Sequence, residues 1–221
     1  MEAIVTSSID FLSAIIHHDL LANFMPKAKL LAAIADKNRG ILATTLDKQA
    51  ILAAITELEF RNPHPRPLTT ALDLLAGDWR LLYTSSQSLL GIDKFPLVTL
   101  GTIYQCIRPT TSAVYNIAEV SSFVPGLNGL VAIAAKFTPV SEARVDVQFN
   151  RSVISLQRLV DYADPDRFIT DLENGRKFTA IDLPISRRED RAPAWLEVTY
   201  LDDTLRISRG NEGSVFVLAR S

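Results

Sequence analysis

The chain has 221 residues, 48% of them hydrophobic and 22% charged, the balance of a globular domain with a sizeable core. Its 23 basic and 25 acidic residues leave a net charge of −2 without a long basic run, which excludes a protein that tracks nucleic-acid phosphates. Cys106 is the only cysteine, so an intrachain disulfide is excluded, and reducing surroundings such as a cytoplasm or an organelle stroma fit better than secretion.

The first part of the chain reads as helix. In residues 7–25, Ile9, Leu12, Ile16, Leu20 and Phe24 recur at three- and four-residue steps, with Ser7 and Asp10 as a variant capping box, until Pro26 breaks the run. A second helix is expected from Lys27 to about Lys37, stopped by Asn38 and Gly40. A third starts near Thr45, an N-cap with Asp47 in the first turn, and carries Ile51, Ile55 and Leu58 on one face. Pro63, Pro65 and Pro67 then make a stiff linker that neither helix nor strand crosses.

Beyond Leu68 the period changes to two. Strands are expected over residues 78–85, 98–107, 113–120, 143–149, 153–160, 195–201, 204–209 and 214–220, the last three joined by Asp202-Asp203 and Gly210-Asn211-Glu212-Gly213 turns. About eight short-turned strands after a helical preface predict a mainly β protein, an antiparallel barrel fronted by helices. The expected units are a helical region over 1–61 packing on a barrel over 70–221. Residues 130–137, Leu-Val-Ala-Ile-Ala-Ala-Lys-Phe, are apolar on both sides until Lys136. As a strand, this segment would face a covering helix on one side and the barrel interior on the other. Its alanines suit a helix equally, over 127–137.

Candidate chemistry is sparse. His17 and His18 are adjacent, so their side chains diverge on a helix, and His64 lies in the proline linker. None has metal-ligand spacing. Ser85-Ser86 and Ser121-Ser122 lack a nucleophile-elbow context, and no glycine-rich phosphate loop opens a helix. Glu119, Asp146, Asp182 and Glu197 fall on or near strands, where the simplest reading turns them to solvent. No catalytic residue, metal site or cofactor is assigned. The expected ligand-lining residues are Leu81, Tyr83, Val145, Val147 and Phe149, the odd-numbered face of two strands; a barrel filled by these same side chains is the alternative.

Gly77-Asp78-Trp79 resembles the G-x-W signature of lipocalins and the wider calycin barrels. That resemblance implies a Trp closing the barrel base, with an Arg near the last strand across it; Arg206, Arg209 and Arg220 are the candidates. Four longer blocks, LLAAIADKNRGILAT, ALDLLAGDWRLLYTSSQSLLGI, FPLVTLGTIYQCI and WLEVTYLDDTLRISRGNEGSVFVLAR, resemble the plastid lipid-associated protein (fibrillin) family, in the family's order, over most of residues 28–221. The resemblance implies a lipocalin-like barrel that binds or transports a small hydrophobic molecule, a prenylquinone, carotenoid or acyl lipid, with peripheral contact to thylakoid membranes and no catalytic residues. The Met-Glu-Ala-Ile start resembles neither a signal nor a transit peptide, so a cyanobacterial-type member or a processed plastid form is expected. No apolar run reaches the roughly eighteen residues of a membrane span. The polar side of residues 7–25 carries Asp10, His17, His18 and Asp19 rather than lysines, which favours packing on the barrel or on a protein partner over an anionic bilayer. Two rival readings are an interaction scaffold for lipid or quinone metabolism and a calycin-type tetrapyrrole-handling enzyme.

Overall fold

The computed structural model describes residues 25–86, 98–185 and 194–221. Most of the first expected helix, 7–25, lies outside them. Two helices precede the sheet: α1 over 25–34 and α2, Thr45–Glu59. Among the described residues α1 ends at 34 rather than at the expected Lys37, and Asn38 and Arg39 then take left-handed backbone at φ 41° and 57° ahead of Gly40 at φ 109°. A side chain at Gly40 would put its Cβ 2.4 Å from the Thr84 carbonyl oxygen. Only glycine lets this turn lie against the sheet, where the Thr84 amide donates to the Arg39 carbonyl at 3.0 Å. Thr44, rather than the expected Thr45, caps α2 reciprocally with Asp47. The hydrogen bonds from Thr44, with Lys37 alongside, hold the Asp47 carboxyl at about 2.

After the proline linker come two single-turn helices, α3 (Pro67–Thr70) and α4 (Leu72–Leu75). Then follow β1 (Gly77–Thr84), β2 (Val98–Arg108), β3 (Ala113–Ser122), β4 (Gly129–Pro139) and β5 (Arg144–Leu156). The α5 helix (Pro165–Glu173), β6 (Ile181–Pro184), β7 (Ala194–Leu201), β8 (Leu205–Gly210) and β9 (Val215–Arg220) complete the described elements. The sheet is antiparallel throughout, in the order β4-β3-β2-β1-β9-β8-β7-β5-β6, and a β4–β5 pairing closes it into a ring with β6 as an appendage. This is a mainly β, lipocalin-like fold with helices outside.

Three sequence expectations are corrected. Residues 143–149 and 153–160 are one strand, β5, carried through a register shift at Asn150, and residues 157–159 form a 3-10 turn. Its two halves pair different neighbours, β7 at Arg144–Val147 and β6 at Arg151–Ile154. Residues 130–137 are strand, so the helical alternative falls. The helix covering that strand is α5, which the sequence reading did not anticipate.

Two apolar layers clad the ring. Leu30, Ile34, Ile51, Ala54, Ile55 and Leu58 of α1 and α2 pack on Tyr83, Tyr200, Leu205, Ile207, Val215 and Val217. On the other flank Phe168, Ile169 and Leu172 of α5 pack on Cys106, Tyr115, Ile117, Leu130, Ala132 and Val153. Arg209 grips Glu59 of α2 through two 2.8 Å hydrogen bonds. Lys27 reaches Asp202 in the β7–β8 turn at 2.7 Å. Arg108 joins Asp78 at 2.8 Å to Asp166 of α5 at 2.7 Å. Helices and sheet are thus tied by burial first and by oriented ion pairs second.

Candidate functional site

Strand alternation sends every second side chain into the ring. One part of the interior is solid: Trp79, Leu81, Leu100, Ile103, Ala118, Leu201 and Leu218 pack together, with Ala71 and Leu75 of the short helices against them. The other part is a cavity of about 480 Å³, within the usual range for small-molecule sites. Val145, Val147 and Phe149 of β5 line it, facing Ile133 and Phe137 of β4, Val114 of β3 and Ile107 of β2. Leu68, Leu72 and Leu75 line it from the short helices, and Trp195, Leu196, Val198 and Phe216 from β7 and β9. Phe149 is 38% exposed, on the open side. Beside it Trp195 is held by the Arg144 guanidinium, 3.7 Å from the ring centroid, and by its own amide donating to Asn211 Oδ1 at 2.7 Å.

The five expected lining residues therefore separate. Val145, Val147 and Phe149 border the cavity. Leu81 points inward but is part of the solid portion, and Tyr83 points outward onto α1 and α2. The cause is a register shift between β1 and β9: Leu81 opposes Leu218, yet Tyr83 opposes Val217, so Leu82 is supernumerary and the parity inverts after it. Two consecutive leucines hide this break in the sequence.

The cavity's polar groups come from strands whose polar faces turn inward. In β8, Leu205 and Ile207 meet the helices, so Arg206 and Ser208 enter the ring, both fully buried. Arg206 Nη2 donates to Gln105 Oε1, and Gln105 Nε2 donates to Asn116 Oδ1 at 3.0 Å. Arg206, Gln105 and Asn116 all border the cavity. Below them Trp79 is fully buried and its Nε1 donates to the Leu75 carbonyl at 2.9 Å. Of the three arginines expected near Trp79, two are present: Arg206 Cζ lies 5.0 Å and Arg220 Cζ 4.5 Å from the ring centroid. Arg209 points away, to Glu59.

The carboxylates do not converge. Asp182 pairs with Arg151 at 2.6 Å, Glu197 with Arg144 at 3.6 Å, and Glu119 accepts from the Tyr162 hydroxyl at 3.0 Å. Asp146 sits between the inward-facing Val145 and Val147 and so faces outward. His64 is in the linker, its amide bonded to Asn62 Oδ1; His17 and His18 lie outside the described residues. Cys106 is buried beneath α5, and burial, reinforced by Asp78, pushes its thiol strongly up. Among the described residues no group of three or more His, Cys, Asp or Glu has the arrangement of a metal site.

A closed antiparallel sheet around a partly apolar hollow, clad by helices and, among the described residues, without converging reactive groups, defines a mainly β protein with an internal cavity. The family model PAP_fibrillin matches residues 25–219, and the chain belongs to that family, the plastid lipid-associated proteins or fibrillins. It is 33% identical over 221 residues to the light-induced protein, chloroplastic, of Solanum tuberosum, covering 88% of this chain and 66% of the relative. It is 34% identical over 221 residues to plastid lipid-associated protein 1, chloroplastic, of Brassica campestris, covering 88% and 66%. Against the chromoplast-specific carotenoid-associated protein C1 of an Oncidium hybrid cultivar it is 33% identical over 225 residues, covering 88% and 68%. The chain spans about two thirds of the length of these relatives. No solved structure matches.

Proposed function

We propose that this chain is a non-enzymatic carrier that takes a small hydrophobic molecule, a prenylquinone, carotenoid or acyl lipid, into the cavity of its closed sheet. The observation that carries the reading is the hollow itself: about 480 Å³ bordered by Val145, Val147, Phe149, Ile133, Phe137 and Trp195. Removing hydrocarbon from water into such a site contributes about 0.8 kcal/mol per CH₂. Ten methylenes give roughly 8 kcal/mol gross, the scale of a micromolar complex before ordering costs. Relatives named for association with plastid lipid and with carotenoid support the same reading.

A carrier of membrane-soluble cargo needs transient contact with the bilayer that holds it, here a thylakoid or other photosynthetic membrane touched peripherally. The turn between β3 and β4 supplies apolar tips for this contact, with Phe123 74% and Val124 47% exposed. The test is solvent extraction and mass spectrometry of protein purified without detergent. A stoichiometric hydrophobic compound is the expected result. Empty protein that also ignores added quinones, carotenoids and fatty acids would overturn the carrier reading in favour of a scaffold.

A further inference from the structure

Two arginines flank Trp79, and they are not equivalent. Arg220 is fully engaged: Nε donates to the Asp203 carbonyl at 3.0 Å, Nη1 to the Ala76 carbonyl at 3.0 Å, and Nη2 to the Leu74 carbonyl. It is a strut between the chain's last strand and the short helices. Arg206 is wholly buried, yet only its Nη2 has a partner, the neutral Gln105 amide; Nε and Nη1 have none among the described residues. Ser208 Oγ, two residues along the same inward face of β8, is likewise buried without a partner. No described carboxylate pairs with Arg206; burial disfavours its charge most, and the nearby Arg220 guanidinium disfavours it further. A structural cation–π contact needs one arginine and leaves no reason for a second one that borders the cavity with two donors unmet.

A buried guanidinium without an anion is costly, and so are unmet donors. A ligand that supplies an anionic acceptor relieves both, and guanidinium is suited to a carboxylate's two oxygens. We propose that Arg206 anchors the head of the cargo and that the preferred cargo is a long-chain carboxylate. Its acid group lies on the Arg206 end of the cavity, and its hydrocarbon runs along Val145, Val147, Phe149 and Ile133. Burial, with the charge of Arg220, pulls Arg206 down to about 9, so it remains cationic at neutral pH. A neutral quinone or alcohol oxygen would fill a donor but leave the charge unmet; a cationic head would add to it. This assignment rests on the cavity being the ligand site and narrows that reading to one head-group chemistry.

The test is a matched series of equal tail length, lauric acid, dodecanol and dodecylamine, displacing the neutral dye Nile red at pH 7.5. In the native protein the acid is expected to bind about tenfold or more tighter than the alcohol, the worth of a charge-assisted hydrogen bond, and the amine weakest. R206M should erase the preference for the acid, so that lauric acid binds no tighter than dodecanol to the variant. R206K, which keeps the positive charge, should retain the order acid over amine. Dodecanol binding as tightly as lauric acid to the native protein overturns head-group recognition and leaves the cavity reading intact, as does an acid preference surviving in folded R206M. Failure of all three compounds to bind points instead to failure of the cavity reading. The native-protein series decides the question even where a variant does not fold.

Discussion

Substitution of Trp79 probes the base of the ring most sharply. The indole is fully buried, donates one hydrogen bond to the Leu75 carbonyl, and lies between guanidiniums at 5.0 and 4.5 Å. Trp79→Phe keeps an aromatic ring but removes the donor, leaves a carbonyl inside the fold with one partner fewer, and opens a small void. The lost hydrogen bond is worth about 1 kcal/mol, and the weaker face for the arginines and the void add about another 1–2. A total of roughly 2–3 kcal/mol corresponds to a fall in melting temperature of about 4–12 °C for a chain of this size. Trp79→Ala costs about 3–5 kcal/mol from the cavity alone, before the cation–π contacts are counted. That is a large share of a typical domain's stability. Circular dichroism through a thermal ramp and urea titration reads both variants. A Trp79→Phe protein melting within about one degree of the parent would refute the idea that Trp79 organises this end of the sheet.

Other consequences follow from individual contacts. Val147→Glu places a carboxylate among apolar cavity walls and should abolish uptake of a neutral dye such as Nile red, while Asp146→Asn on the outward face leaves it unchanged; fluorescence titration separates the two. Glu59→Ala breaks the two-point grip of Arg209 on α2 and should cost about 1–2 kcal/mol in urea unfolding, an effect that weakens with added salt. Asp202 is influenced most by burial, which raises it, but hydrogen bonds from Lys27, Tyr200 and the Thr204 and Leu205 amides outweigh burial and hold it below its ordinary value. Because its folded value is the lower one, its contribution is complete above the usual carboxylate range and is lost as pH falls through the depressed value. Asp202→Asn should therefore flatten the acid limb of the stability-against-pH curve. Cys106, buried with its thiol pushed up, should react with a thiol reagent only on unfolding, at a rate matching global opening.

The sheet was legible because its signal is local. Val145, Val147 and Phe149 alternate with the polar Asp146 and Gln148, and that alternation survives folding unchanged. The start of α2 near Thr45 and the Trp79 signature were legible for the same reason, each resting on residues a few positions apart or on a motif, although the cap itself falls one residue earlier, on Thr44. What escaped was set by pairing across the sheet. The inversion at Leu82 exists only because β1 and β9 are out of step by one residue, so Tyr83 turned to the helices rather than to the cavity. β6 is four residues ending in proline, and α5 is nine residues whose apolar stripe of Phe168, Ile169 and Leu172 is short. Neither is long enough to assert a period. Arg206 was legible as a partner for Trp79. Its idle donors were not, because they follow from which face of β8 the helices cover, a tertiary choice that Leu205 and Ile207 make by packing on α1 and α2.

The account turns on whether the hollow receives hydrocarbon. A crystal structure of the protein grown with lauric acid tests this directly: continuous density is predicted along Val145, Val147, Phe149 and Ile133, with its carboxylate end at Arg206. Density confined to the outer faces of the sheet, or side chains closed across an unoccupied centre, would contradict it.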